Sequence, residues 1–152
     1  MIDIENVVFS TVAQALRDEY AETYPQFKVY GEYVEFPESF PCVSLWMADN
    51  YSFPGSFELG NVDEHHSNVM FQTEIATVGE GRKALAKELA DKVDELMTGM
   101  GFSRAAMMVL PNADPNAFRI TLRHTGIASA WLSSETGDGN EATELLTSLI
   151  YR

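Results

Sequence analysis

The pattern of hydrophobic and polar positions predicts two helices in this chain. Near the start, apolar residues recur at the three- and four-residue steps of one helix face: Val8, Phe9, Val12, Leu16 and Tyr20. We expect Asp3 to cap this helix and Pro25 to follow its end. A second helix is predicted between Arg82 and Gly101, with the apolar stripe Ala84, Leu85, Leu89, Val93, Leu96 and Met100.

Alternation with a period of two predicts the strands. The pattern is clearest where Val69, Phe71 and Ile75 share one face. Another segment places apolar residues between glutamates, which is typical of an exposed edge strand. The predicted strands are Phe27 to Tyr30, Tyr33 to Phe36 (the glutamate-flanked edge), Cys42 to Ala48, Ser67 to Val78, Ser103 to Leu110 and Phe118 to Ala130.

A long loop or hairpin excursion is predicted over residues 49–66, between two of these strands. It contains the aromatic residues Tyr51, Phe53 and Phe57. Loops beyond about 12 residues are uncommon in compact domains and are often functional. We therefore predict these three side chains as interface anchors, since large aromatics dominate interface hot spots. The alternative is a loop that packs on its own sheet.

Together these elements predict one α+β domain over residues 1–152. A mainly antiparallel β-sheet packs against two α-helices in the order α-β-β-β-α-β-β, and residues 141–151 form a short C-terminal helix. A length of 152 residues and 45% apolar content suit one hydrophobic core. Cys42 is the only cysteine, so an intramolecular disulfide is excluded, and its apolar surroundings predict a buried thiol.

A strong negative charge limits the partners of this chain. Asp and Glu number 23 against ten Lys and Arg, which gives a formal charge of −13. Such a chain repels nucleic-acid phosphates and anionic lipids. No apolar run approaches the roughly 18 residues that span a bilayer. We expect no tight binding to DNA and no membrane partner. A negatively charged channel lining would nevertheless allow DNA to pass without sticking.

The candidate catalytic and metal-binding residues do not form a recognisable set. His65 and His66 are adjacent, and neighbouring residues diverge instead of converging on one ion with distant His124. The turn Gly79-Glu80-Gly81 lacks the full fingerprint of a phosphate loop, and its glutamate would repel an anion. We therefore predict no catalytic, cofactor-binding or metal-binding residues.

Glutamates and methionines are assigned structural roles. Glu32, Glu35 and Glu38 flank the predicted edge strand, where no burial would raise a carboxyl pKa for acid–base catalysis. We predict that they form a charged edge and contribute to an interface. Adaptable core packing is predicted for the methionines Met97, Met100, Met107 and Met108.

One segment carries a family resemblance. It runs from Tyr30 to Ser44 and reads Tyr-Gly-Glu-Tyr-Val-Glu-Phe-Pro-Glu-Ser-Phe-Pro-Cys-Val-Ser. With this signature the chain resembles the tail terminator, or tail completion, proteins of long-tailed bacteriophages, often labelled minor capsid proteins in phages of Gram-positive bacteria. Other corresponding segments are Asp3 to Val8 with Leu16, Asp49-Asn50, Val69 to Val78, Lys83 to Arg104, Pro111-Asn112 and Phe118 to Ile120.

The resemblance implies a mechanical role without a cofactor. Proteins of this family form a ring, usually of six copies, at the head-proximal end of the tail tube. The ring stops tube polymerisation and presents a surface to the neck. The implied partners are other copies of the chain, the tail tube protein and a neck or head-completion (stopper) protein, while genomic DNA passes through the lumen. The implied location is the virion, after assembly in the host cytoplasm.

Three other functions are compatible with the residues. The first is a head-completion or connector protein one layer nearer the capsid. The second is an acidic binding module or DNA-mimicking inhibitor, which would use the charge of −13 to bind a basic partner. The third is a small hydrolase that uses His65, His66 or His124.

Overall fold

The chain forms a five-stranded mixed sheet with two helices, and the computed structural model describes residues 1–52, 66–111 and 114–129. The elements are α1 (Glu5–Tyr20), β1 (Lys28–Tyr30), β2 (Cys42–Ser52), β3 (His66–Val78), α2 (Arg82–Gly99), β4 (Ser103–Leu110) and β5 (Ala117–Ser129). The predicted α+β class is confirmed. The C-terminal helix predicted at residues 141–151 lies outside the described residues.

The strands lie in the order β1-β2-β3-β5-β4. β1 is parallel to β2, and the remaining pairs are antiparallel. The sheet contains five of the six strand segments predicted from alternation, because the segment Tyr33 to Phe36 is not a strand. The backbone of this segment is instead bonded to a side chain. The Arg119 guanidinium donates to the carbonyl oxygens of Val34 and Glu35, at 3.3 and 2.9 Å.

Both helices cover one face of the sheet, and the core lies between them and the strands. α1 packs on β1 and β2, and α2 packs on β3, β5 and β4. The predicted strand face of Val69, Phe71 and Ile75 is buried in this core. Buried helix residues opposite it are Val8, Val12, Leu16 and Tyr20 of α1, and Ala86, Leu89, Ala90, Val93 and Met97 of α2.

The ends of the helices explain two departures from the predicted pattern. Ile4 is the N-cap residue of α1, and Asp3, one position earlier, accepts the Glu5 N–H at 3.0 Å. Ala84 of the predicted α2 stripe is exposed, because the buried face of α2 is centred on Ala86, Leu89, Ala90, Val93 and Met97, and Ala84 lies on the opposite side of the helix. α2 closes in a Schellman motif in which the Phe102 N–H donates to the Met97 carbonyl at 3.0 Å.

The N-terminus is fastened to an irregularity in β2. The pairing of β2 with β3 shifts between Met47 and Asp49. At this bulge the Met47 N–H donates to the Glu5 carboxylate at 2.8 Å. Nearby, the Asn50 side chain donates to the Ile2 carbonyl at 2.6 Å. These bonds fix α1 relative to the sheet and so position the segment that follows it.

The segment of residues 31–41, which we call the strap, crosses the sheet face opposite the helices. It joins parallel β1 and β2, and its Tyr33 ring packs edge-on against Trp46, with centroids 5.7 Å apart. Cys42 and Ser44 of β2 are buried on this face. The buried thiol predicted from the sequence is confirmed, and its burial raises the pKa of Cys42 to about 11.

Candidate interaction surfaces

The strap presents an acidic and aromatic surface. Its glutamates Glu32, Glu35 and Glu38 are exposed, and so are Tyr33 and Phe36, which are 51% and 81% exposed. Residues 31–41 contain these three glutamates and no lysine or arginine, which gives a net charge of −3. We call Glu32, Tyr33, Glu35, Phe36 and Glu38 the strap surface. It contains all three glutamates that were predicted as interface residues, although they lie on a bent segment and not on a strand.

A second exposed surface lies at the edge strand β4. In the described part of the chain, β4 pairs only with β5. None of its eight residues is buried, and Met107, Met108 and Val109 are 43%, 44% and 56% exposed. Two exposed arginines flank them: Arg104 of β4 lies on the same sheet face as Met107 and Val109, and Arg123 of β5 on the same face as Met108. We call these five residues the edge surface.

The two edges of the sheet are built differently. At the β1 edge, the strand has only three residues, and the Arg17 guanidinium donates to the Val29 carbonyl at 3.3 Å. At the β4 edge, residues 105–110 form an unbroken apolar run without lysine or proline. Natural proteins usually shield such edges with charge, proline or a covering segment. In the described residues, the six-residue apolar run of β4 has none of these shields.

The edge surface corrects the prediction for two methionines. Met97 and Met100 are buried as expected, but Met107 and Met108 are exposed. Met107 lies on the helix-facing side of the sheet, where α2 covers β4 less than it covers β3 and β5, and Met108 lies on the opposite side. The prediction therefore missed this surface, although the sequence contains a signal for it. β4 is apolar at six consecutive positions, and such a run predicts a strand that is buried on both faces unless it lies at the edge of the sheet.

The described residues at the two ends of the excursion predicted at residues 49–66 belong to strands. β2 continues through Ser52 and β3 begins at His66, so both ends of the segment belong to an antiparallel pair. Tyr51 therefore lies on a strand, where it is 56% exposed. Phe53 and Phe57 lie outside the described residues. Of the three predicted aromatic anchors, the structure places Tyr51 at the surface.

The described histidines are not brought together. His66 pairs with Ser129 at the start of β3, whereas His124 faces Phe71 five positions along the strand. Five residues of strand span about 17 Å, too far for the two side chains to share one ion or substrate atom. His65 lies outside the described residues. Among the residues that the structure describes, no group of three His, Cys, Asp or Glu side chains is arranged to hold a metal.

His124 is instead the centre of a bond network between α2 and the sheet. Its side chain is fully buried, and its Nε2 lies 2.8 Å from Asp94 Oδ1. The other oxygen of Asp94 accepts from Arg104 Nη1 at 2.9 Å. Burial lowers the pKa of His124, an effect that the Asp94 carboxylate opposes and the Arg104 charge reinforces. The network ties β4 and β5 to α2 and leaves the imidazole without access to solvent.

A cleft of about 410 Å³ lies where the strap meets the start of α2. Apolar side chains such as Phe40 and Leu85 line its walls, and Glu80 and Glu88 contribute carboxylates. The Tyr20 hydroxyl, which lies near the cleft, donates to Glu88 Oε1 at 3.2 Å. Burial, together with the Glu88 and Glu19 charges, raises the pKa of Tyr20. No nucleophile–base pair lines this cleft in the described residues.

Comparison with known proteins does not add a relative. A scan against protein-family models finds no match to this chain, and no curated protein matches it. Within the described ranges, neither helix has the length and apolar character needed to cross a bilayer. The two exposed surfaces therefore carry the functional interpretation.

Proposed function

We propose that this chain is a structural virion protein that forms a ring at the head-proximal end of a phage tail tube. The ring terminates tube polymerisation and joins the tail to the neck. The protein works by shape and transforms no substrate. Its proposed partners are further copies of itself, the tail tube protein and a neck protein, and the phage DNA passes through its lumen without specific binding.

The observation that carries this proposal is the presence of two unlike exposed surfaces on one subunit. A closed ring built by head-to-tail contacts buries one surface of each copy against a different surface of the next. The strap surface is acidic and aromatic, and the edge surface is apolar with two arginines. The strap also belongs to the Tyr30 to Ser44 segment, which carries the resemblance to tail terminators.

The charge distribution supports passage of DNA over retention. The whole chain carries −13, and three of its ten basic residues are Arg104, Arg119 and Arg123 on β4 and β5. Arg119 is already engaged by the strap and Arg104 by Asp94. A ring of such subunits carries a large negative charge, so it repels the polyanion instead of holding it.

Deleting the gene from its phage tests the proposal. We expect overlong or unjoined tails beside filled heads in electron micrographs, and normal tail length when the gene is supplied in trans. DNA leaking from heads that stand beside normal tails would assign the chain to head completion instead. Normal virions from the deletion, with a basic protein captured by the purified chain, would favour the acidic inhibitor.

A further inference from the structure

We propose that the edge surface of one copy binds the strap surface of the next copy. This inference rests on the proposed ring and names its subunit contact. The partner of β4 is thus a second copy of this chain, recognised through an acidic and aromatic segment. The argument rests on the edge of β4, on charge and on the separation of the two surfaces.

The first step is the chemistry of the β4 edge. An outer strand has backbone N–H and C=O groups that point away from its one neighbour. Burying this edge against a purely apolar surface would leave those N–H groups without acceptors, and each unpaired group would cost free energy. Carboxylates supply such acceptors, and the strap carries three of them. Its Tyr33 and Phe36 can meanwhile pack on Met107, Met108 and Val109.

The second step is charge complementarity between the two surfaces. The described residues of β4, β5 and the turn between them contain three arginines and one aspartate, a net charge of +2 in a chain of −13. Arg123 donates through Nε to Gln72, and its guanidinium is exposed on the strap side of the sheet. The strap carries −3. Two copies that otherwise repel each other therefore attract at this pair of surfaces.

The third step is that one end of the strap surface, Glu32 and Tyr33, lies apart from the β4 edge of its own subunit, whereas Glu35 lies over Arg119 of the neighbouring β5. Tyr33 packs on Trp46 of β2, and β3 and β5 separate β2 from β4. Three strand spacings amount to about 14 Å across the sheet. The Glu32 and Tyr33 end of the strap is therefore separate from the β4 edge, and each can contact a different neighbour.

Cysteine cross-linking of the purified full-length chain tests this contact. Cys42 is buried with a raised pKa, so its thiol reacts slowly with maleimides. The wild-type chain should therefore give no cross-linked background. Two variants, V109C and E32C, are mixed and treated with a short bis-maleimide. We expect a dimer yield about tenfold above that of a control pair, because a specific contact raises the effective concentration of the two thiols. The control pair is V109C with E95C, whose cysteine lies on the exposed outer side of α2.

Each single variant alone is expected to give little dimer, and a chain carrying both V109C and E32C should give a ladder of oligomers. Predominant dimers from V109C alone would show edge-to-edge pairing and overturn the proposal. A mixed yield equal to the control, or a wild-type chain that sediments only as a monomer, would also overturn it.

Charge reversal provides an independent test of the same contact. We expect R123E, added to V109C, to lower the yield with E32C several-fold, and mixing it with a strap variant carrying E32C, E35K and E38K to restore it. No rescue would contradict the pairing of these charges. This experiment needs no phage, so its outcome is separate from that of the gene deletion: cross-links with normal deletion tails would reject the terminator role alone, and abnormal tails without cross-links would reject the contact alone.

Discussion

His124 shows what one buried polar side chain does in this fold. It lies on β5 with its ring inside the core, bonded to Asp94 on α2. Its Nδ1 has no hydrogen-bond partner in the described residues. A buried imidazole that accepts a proton would gain a charge in an apolar setting with one carboxylate beside it. Stability should therefore depend on pH through this residue.

We expect the H124Q variant to flatten the pH dependence of stability. Burial lowers the folded-state pKa of His124, so the unfolded chain binds the proton more readily than the folded chain. The stability that His124 contributes is complete above about pH 6.5, which is the unfolded-state pKa. This stability is lost as the pH falls toward the folded-state pKa. Urea midpoints measured between about pH 7.5 and 5.5 should fall for the wild type and fall less for H124Q.

The control for this prediction is H66Q, which removes a histidine at the start of β3. The slope of H124Q is compared with the slopes of this variant and of the wild type. Gln keeps a nitrogen donor for Asp94, so H124Q is the variant that best preserves the network. Equal slopes for H124Q and the wild type would contradict the role given to His124.

Single residues also show how far sequence reasoning extends. Burial of Cys42 followed from its apolar neighbours, and Val69, Phe71 and Ile75 followed from strict alternation. The exposure of Met108 did not follow, because an apolar strand at the edge of a sheet and one at its centre have the same composition. Only the order of the strands in the sheet distinguishes them, and that order depends on contacts distant in sequence.

The strap is the element in which sequence and structure differ most. Its alternation of apolar residues and glutamates is the pattern of an edge strand, yet it contains no strand. The deciding residue is Arg119, which lies 84 positions beyond Glu35 and binds the strap carbonyls. No local pattern contains that partner. By contrast, α2 was predictable because its spacing and its closing Gly101 are local signals.

We expect R119A to loosen the strap. Two hydrogen bonds from a charged donor are lost, which should lower the free energy of unfolding by about 2 kcal/mol. The freed strap should then be cut faster by a glutamate-specific protease, which can act after Glu32, Glu35 and Glu38. The measurements are a urea denaturation curve and the rate of cleavage within residues 31–41.

R123A is the matched control, since Arg123 lies on the same strand and the same sheet face but bonds the Gln72 side chain. Its strap should resist the protease as the wild type does. If R119A were as resistant as the wild type, the strap would be held by other contacts and Arg119 would not be its anchor.

At the scale of the whole molecule, the described surface is divided between unlike regions. The strap surface is negative and aromatic, the β4 edge is apolar and flanked by arginines, and the β1 edge is short and bonded to Arg17. A monomeric protein gains nothing from leaving a long apolar edge open. A subunit that meets neighbours at two different surfaces gains specificity from this asymmetry.

The most direct test of the assembly role is a particle map of virions from the phage that encodes this chain, with the chain labelled by a fused tag. The account predicts a closed ring of copies at the junction of the tail tube and the neck. Density for the tag elsewhere on the particle, or virions that lack the chain altogether, would contradict it.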